Sequence, residues 1–274
     1  MKLKSLGIRT LSGVIYVAII VGCILGGELW LSLLVSLIAG FATIELTKVL
    51  GGMRANRMPL LAIDVAGSIC LALGCYIVPL LIWLFCLLLR FVEELYAKDE
   101  NPVQSLSTSC LTQLMIGLPC GLMLANGLIF STGYILLAIF LFLWINDTGA
   151  FLVGSLIGKK RLFERISPKK SWEGFLGGLV FNIAAAVLFS HFPGFFGFLH
   201  NVWQWIGLGV IVTIFGTWGD LVESLIKRTM HLKDSGNIIP GHGGLLDRID
   251  SMLLAMPAAF IYFVLLSFYN LASL

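Results

Sequence analysis

Long apolar runs recur along this 274-residue chain and restrict what it can fold into. A transmembrane helix needs about 20 mostly apolar residues, because inside hydrocarbon every backbone N–H and C=O must be satisfied within the segment. About nine stretches meet or approach that length, with ends uncertain by a few residues. They are 11–27, 29–50, 60–75, 77–95, 111–131, 133–157, 174–192, 202–226 and 252–272, and the short 60–75 is the weakest. Hydrophobic residues make up 58% of the chain and charged residues only 12%. Soluble domains hold roughly 45–50% apolar residues, so a bilayer is the natural solvent here. The expected fold class is all-α, a polytopic integral membrane helix bundle of about nine transmembrane helices with a cytoplasmic N-terminus.

The distribution of charge supports both the span count and the orientation. With residue 1 inside and nine alternating spans, the inner segments are 1–10, 48–59, 90–110, 158–173 and 220–251. These hold all 18 Lys and Arg, Arg90 among them, and the outer loops hold none. Such asymmetry is the positive-inside signal. The chain is expected to form one integrated membrane domain, with N-terminal helices over 1–132 and a catalytic region over 133–274. The six Cys lie in or beside apolar runs without C-x-x-C or metal spacing, and read as small apolar residues. Glu45 and Asp64 fall within about two turns of the cytoplasmic ends of their spans, either solvated there or lining a polar cavity.

Polar chemistry is concentrated in the second half. Asp147 stands in INDTGAF between apolar residues, where an ionised carboxylate needs a cation, a base or water. A helix-packing Asn/Asp/Thr cluster is the alternative. Ser167, Lys169, Lys170 and Ser171 fall in one short loop, SPKKS, suited to phosphate oxygens. In DLVESLIKR, Asp220, Glu223, Ser224, Lys227 and Arg228 share one helical face. The acids come first and the bases one to two turns later, a spacing that suits a cation at one end and a phosphate at the other. A merely wet helix face would give the same stripe. In KDSGNIIPGHGGLLDRID, Pro240, Gly241, Gly243 and Gly244 surround His242 and forbid a regular helix. Their backbone N–H groups can approach a phosphate closely. Asp247 and Asp250 follow at i, i+3, with Arg248 between them. Gly154 to Lys160 lacks the spacing and the terminal Ser or Thr of a phosphate loop. The pairs Gly22/Gly26, Gly154/Gly158 and Gly174/Gly178 read as close helix-packing sites.

The segment Ser224-x-Ile226-Lys227-Arg228-x4-Lys233-Asp234-x-Gly236-x2-Ile239-Pro240-x-His242-Gly243-Gly244-Leu245-x-Asp247-Arg248-Ile249-Asp250 resembles the signature of the phosphatidate cytidylyltransferases, the CDP-diacylglycerol synthases. Asp147-Thr-Gly-Ala-Phe and Ile166-Ser-Pro-Lys-Lys-Ser-Trp-Glu-Gly are similar to that family's upstream motifs. Phe151, Ser171 and Trp218 depart from Tyr, Thr and Leu, without changing a charge. The resemblance implies that CTP and phosphatidic acid give CDP-diacylglycerol and pyrophosphate. It implies Mg²⁺ and a second cation, with Asp220, Asp247, Asp250, Glu223 and Asp147 as ligands. Asp220, Asp247, Lys227 and Arg248 would be catalytic. Ser167, Lys169, Lys170, Ser171, Ser224, Arg228, Lys233, His242, Gly243 and Gly244 would bind substrate phosphates. The expected partners are CTP, phosphatidic acid, membrane lipids and a second copy in a homodimer, and no nucleic acid. The expected location is a bacterial inner membrane, with the site facing the cytoplasm. A cytidylyltransferase for another lipid phosphate, or a cation or proton transporter using Asp147, Asp220 and Glu45, are the alternatives.

Overall fold

The computed structural model describes residues 2–51, 58–97, 101–130, 134–236 and 243–272, with side chains from Thr10 to Asn270. Arg54, Arg57, Lys98, Pro240, Gly241 and His242, and the side chains of Lys2, Lys4 and Arg9, lie outside the described residues. The order is α1 (Lys2–Leu25), α2 (Glu28–Val49), α3 (Met58–Ala72), α4 (Ile77–Tyr96), α5 (Pro102–Thr112), a π-helical turn (Gln113–Gly117) and α6 (Leu118–Ile129). Then come α7 (Ile135–Ile157), β1 (Arg161–Phe163), β2 (Ser167–Ser171), α8 (Trp172–Ser190), α9 (Pro193–Phe196), α10 (Val202–Thr229), α11 (Leu246–Ile249) and α12 (Met252–Ala272). Two compact units form. The first holds residues 1–124 and 229–249, and the second 125–228 and 250–274.

The all-α membrane expectation holds. On α2 the inward positions Leu31, Leu34, Val35, Ile38, Ala42 and Leu46 are buried, yet the outward Leu29, Leu33, Leu37 and Phe41 are also large and apolar. A helix hydrophobic on both faces needs lipid on the outer one. Among the described residues six helices are long and apolar enough to cross a membrane: Glu28–Val49, Pro102–Ile129, Ile135–Ile157, Trp172–Ser190, Val202–Thr229 and Leu246–Asn270. The expected count of about nine spans is therefore reached only by adding α1, α3 and α4. The apolar stretches Thr10–Leu25 and Met58–Ala72 are shorter, and α4 carries Arg90, Glu93 and Glu94 near its end.

The first unit is organised around that charge. Arg90, expected in an inner loop, is instead 3% exposed within α4. Its Nε lies 3.3 Å from Asp64 of α3, Nη1 bonds Glu94, and Nη2 donates to Ser105 Oγ of α5 at 2.7 Å. Ser105 Oγ in turn donates to Glu94 at 2.8 Å, and Ser109 Oγ donates to Asp64. Asp64 is thus neither solvated nor idle. Three helices, α3, α4 and α5, share one buried network, because a buried carboxylate is tolerated only when paired.

The second unit packs by small residues. At the α7–α8 interface a Cβ on Gly177 would overlap Val153, and one on Gly178 would overlap Asn146 Oδ1. One on Gly174 would stand 2.9 Å from the Ala150 carbonyl and 3.2 Å from Gly154 Cα. These are the contacts expected of Gly154 and Gly174/Gly178. Gly22 has no such neighbour, whereas a Cβ on Gly26 would stand 2.7 Å from the Trp30 side chain of α2, so the Gly22/Gly26 pair does not pack a helix at both positions among the described residues. Phe142, Phe189, Phe196 and Trp205 form an aromatic core, and Asn182 Nδ2 ties α8 to α10 through Thr213 Oγ1 at 2.8 Å.

Replacing Arg90 by Leu leaves two buried carboxylates without their cation. The expected cost is about 3–5 kcal/mol, measured as a lower unfolding midpoint of the detergent-purified protein. The triple variant Asp64→Asn, Arg90→Leu, Glu94→Gln should recover most of that loss. A single variant as stable as wild type would show that the network holds nothing together.

Candidate active site

The expected phosphate loop SPKKS is part of a β-hairpin. β1 pairs antiparallel with β2, with Arg161 opposite Ser171 and Phe163 opposite Ser167. The segment is too short and polar to show strand alternation in sequence. The hairpin turns the chain from α7 into α8, and Ser171 closes it. Its hydroxyl accepts from Gly174 N at 3.1 Å, capping α8, and the residue is 4% exposed. Ser171 therefore serves helix α8 here rather than standing open to a phosphate. Glu173 accepts from the backbone of Lys159 and Lys160 at 3.1–3.2 Å and holds the turn before β1. Ser167 is half-buried and Lys169 is exposed.

Lys170 carries the hairpin's charge inward. Its Nζ lies 2.6 Å from Asp220 Oδ2, with both side chains about a quarter to a third exposed. It also donates to the Thr217 carbonyl at 3.5 Å. The acid-then-base stripe on α10 is present as expected. Ser224 Oγ donates to Asp220 Oδ1 at 3.2 Å, Glu223 meets Lys227 Nζ at 2.6 Å, and Arg228 Nε donates to the Ile166 carbonyl at 3.4 Å. Glu223 and Lys227 are buried, whereas a solvated face would leave them exposed.

Asp250 joins this cluster by backbone approach. A Cβ at Gly219 would stand 2.5 Å from the Asp250 carbonyl oxygen, so only glycine lets this segment lie against α10. The Asp250 carboxylate then feels the charges of Asp220, Glu223 and Asp147, and its Oδ1 accepts from Ser251 N at 2.6 Å. Asp147 is exposed on α7. The second unit thus brings Asp220, Glu223 and Asp147 into electrostatic reach of Asp250, with Lys170 on Asp220 and Lys227 on Glu223.

Like charges this close are costly unless cations offset them. Carboxylate oxygens are the donors that Mg²⁺ takes. Among the described residues no three His, Cys, Asp or Glu converge closely enough to hold a metal by themselves. Mg²⁺ does not require that, since it binds through one or two carboxylates plus waters and substrate phosphates. The donor set fits such an ion in chemistry.

Asp247, Arg248, Lys233, Gly243 and Gly244 belong to the first unit. Asp247 turns its carboxylate onto backbone: it accepts from Ser235 N at 3.1 and 3.3 Å and from Gly244 N at 2.9 Å. Gly243 has φ +85°, a conformation natural to glycine. Arg248 and Lys233 are exposed, and the Arg248 carbonyl accepts from Tyr16 Oη at 3.0 Å. Glu45, read in sequence as either solvated or lining a polar cavity, is not solvated. Glu45 of α2 is 1% exposed, and its Oε2 accepts from Leu246 N at 2.8 Å and from Ser235 Oγ at 3.4 Å. An acid inside an apolar span was the available signal.

Fold and site define a polytopic helical membrane protein that places a carboxylate–lysine cluster on α10, the hairpin and the start of α12. Residues 7–266 match the family model described as the cytidylyltransferase family, and the chain belongs to that family. It is 48% identical over 124 residues to the phosphatidate cytidylyltransferase of Staphylococcus aureus strain COL. It is 47% identical over 124 residues to that of Staphylococcus haemolyticus strain JCSC1435, and 46% identical over 125 residues to that of Staphylococcus epidermidis strain ATCC 12228. Each match covers 45% of this chain and 46% of the relative, so the chain spans about half the length of the curated relatives it matches.

Replacing Ser171 by Ala removes the α8 cap and is expected to cost about 1 kcal/mol of stability, read from the unfolding midpoint in detergent. Ser171→Asp, which restores a capping oxygen, should recover it. A variant with unchanged stability would show that the hydroxyl has another use.

Proposed function

We propose that this protein is a phosphatidate cytidylyltransferase, which joins CTP to phosphatidic acid and releases pyrophosphate. The observation that carries this reading is the pairing of Lys170 with Asp220 beside Glu223, Lys227 and Asp250, in a chain of the cytidylyltransferase family. A lipid phosphate oxygen attacks the α-phosphorus of CTP, a P–O bond forms there, and the α–β P–O bond breaks. The attacking phosphomonoester is already largely ionised, with a second pKa of about 6. No Ser, Cys or His nucleophile is needed, and catalysis rests on placing charge and substrates.

Asp220 and Asp250, with Glu223 and Asp147 in reach, would hold Mg²⁺. When bound, the ion supplies Lewis-acid polarisation of phosphate oxygens. Lys170 and Lys227 each occupy a carboxylate that a cation would compete for, and each carries an ammonium that a phosphate would compete for. Exchange of Lys170 from Asp220 to a substrate phosphate puts an ammonium on the developing charge. Lys169 and Arg228, exposed in the second unit, supply further cations for CTP or the lipid headgroup, and Lys233 and Arg248 of the first unit belong to this reading on the family likeness alone. A second cation and a homodimer belong to this reading on the family likeness alone. The location that fits is a bacterial inner membrane with the site on the cytoplasmic side, where the Lys and Arg other than the buried Arg90 fall by alternation of the nine expected spans.

Purified protein given CTP, Mg²⁺ and phosphatidic acid should make CDP-diacylglycerol, and other lipid phosphates should react more slowly. Asp220→Asn is expected to lower kcat by about 100-fold or more while leaving a folded membrane protein. Near-wild-type turnover by that variant, or preference for another lipid phosphate, would overturn the assignment of site or substrate.

A further inference from the structure

We propose that Glu45 of α2 is a positioning residue for the glycine-rich segment, clamping the described residues on either side of 237–242. This rests on the transferase reading only for the expected effect on turnover, since the clamp itself is a matter of geometry. Glu45 lies about one turn from the C-terminal end of α2 and is 1% exposed. A carboxylate buried there is costly unless donors surround it. Its Oε2 accepts Leu246 N at 2.8 Å, on the C-terminal side of the segment, and Ser235 Oγ at 3.4 Å, on the N-terminal side. Described residues on both sides of 237–242 therefore converge on one oxygen.

Asp247 supplies the second half of the clamp. Ser235 bridges the two acids: its N–H is donated to Asp247 at 3.1 Å and its hydroxyl to Glu45. Gly244 N also bonds Asp247, at 2.9 Å. The space is filled as well as bonded. A Cβ on Gly236 would stand 2.7 Å from Glu45 Oε1, one on Gly244 would stand 2.7 Å from Oε2, and one on Gly243 would stand 2.7 Å from Asp247 Oδ2. At these three glycines of the signature a side chain would have to displace one of the two carboxylates from its position. Among the described residues Glu45 Oε1 is buried without a hydrogen-bond partner, so the clamp runs through Oε2 alone. Glu45 touches no reacting atom in this account. It acts by fixing the backbone that carries Lys233, Asp247 and Arg248.

The test compares Glu45→Ala, Glu45→Asp and Glu45→Gln in the purified full chain. Gln keeps an acceptor at the same reach, Asp keeps the charge but shortens the reach, and Ala removes both. Amide exchange at Leu246 and across 233–236 should rise about tenfold in Glu45→Ala and Glu45→Asp, the equivalent of one lost hydrogen bond, while α7 and α8 exchange as in wild type. In the same variants kcat should fall by about tenfold or more, with KM for phosphatidic acid unchanged, and Glu45→Gln should restore both readouts. If Glu45→Ala does not survive purification, Glu45→Asp carries the comparison. Wild-type exchange at Leu246 in Glu45→Asp, or equal losses in the Gln and Asp variants, would overturn the clamp. A wild-type protein that makes no CDP-diacylglycerol would instead overturn the proposed function, and leave the exchange result as the test of the clamp.

Discussion

The Lys170 ammonium at 2.6 Å from Asp220 joins the β-hairpin to α10, and the polar arrangement of the second unit depends on it. Without that pair the hairpin has few polar ties to α10, and Asp220 would add its full charge to Glu223 and Asp250. The ion pair is part exposed, so its direct contribution to stability is modest. Its weight is positional. It brings a phosphate-seeking base and a cation-seeking acid to one place, in a state from which each can be exchanged for a substrate group.

The first unit applies the same rule more strictly. Arg90 sits among Asp64, Glu94, Ser105 and Ser109 with almost no exposure, because no charge in an apolar bundle persists without partners. Glu45 shows the variant in which backbone and hydroxyl donors stand in for a cation. Buried polar groups therefore do two kinds of work in this chain. One set joins helices, and the other sets the backbone of a glycine-rich turn.

Much of this was legible in sequence, and the reasons are physical. The helical bundle followed from apolar length, and the α10 stripe from helical spacing, since both are local properties. Gly154 and Gly174/Gly178 packed as read, because small residues at four-residue spacing leave a groove on any helix. Gly22/Gly26 did not, since a groove says nothing about which neighbour fills it. Arg90 was misplaced because charge counting treats every base as solvated, while Asp64, 26 positions away, decides otherwise. The hairpin was missed because β2 is five residues of Ser, Pro and Lys. The Glu45–Leu246 bond joins residues 201 apart, and no local pattern reports such a pairing.

The central claim is transfer of the cytidylyl group, with the α-phosphorus of CTP as the atom attacked. Parallel reactions with CTP labelled at the α- or the γ-phosphate test it most directly. The account predicts α-label in the lipid fraction and γ-label in released pyrophosphate, in equal amounts and only with Mg²⁺ present. Label from the γ-phosphate appearing in lipid, or neither label leaving CTP, would contradict it.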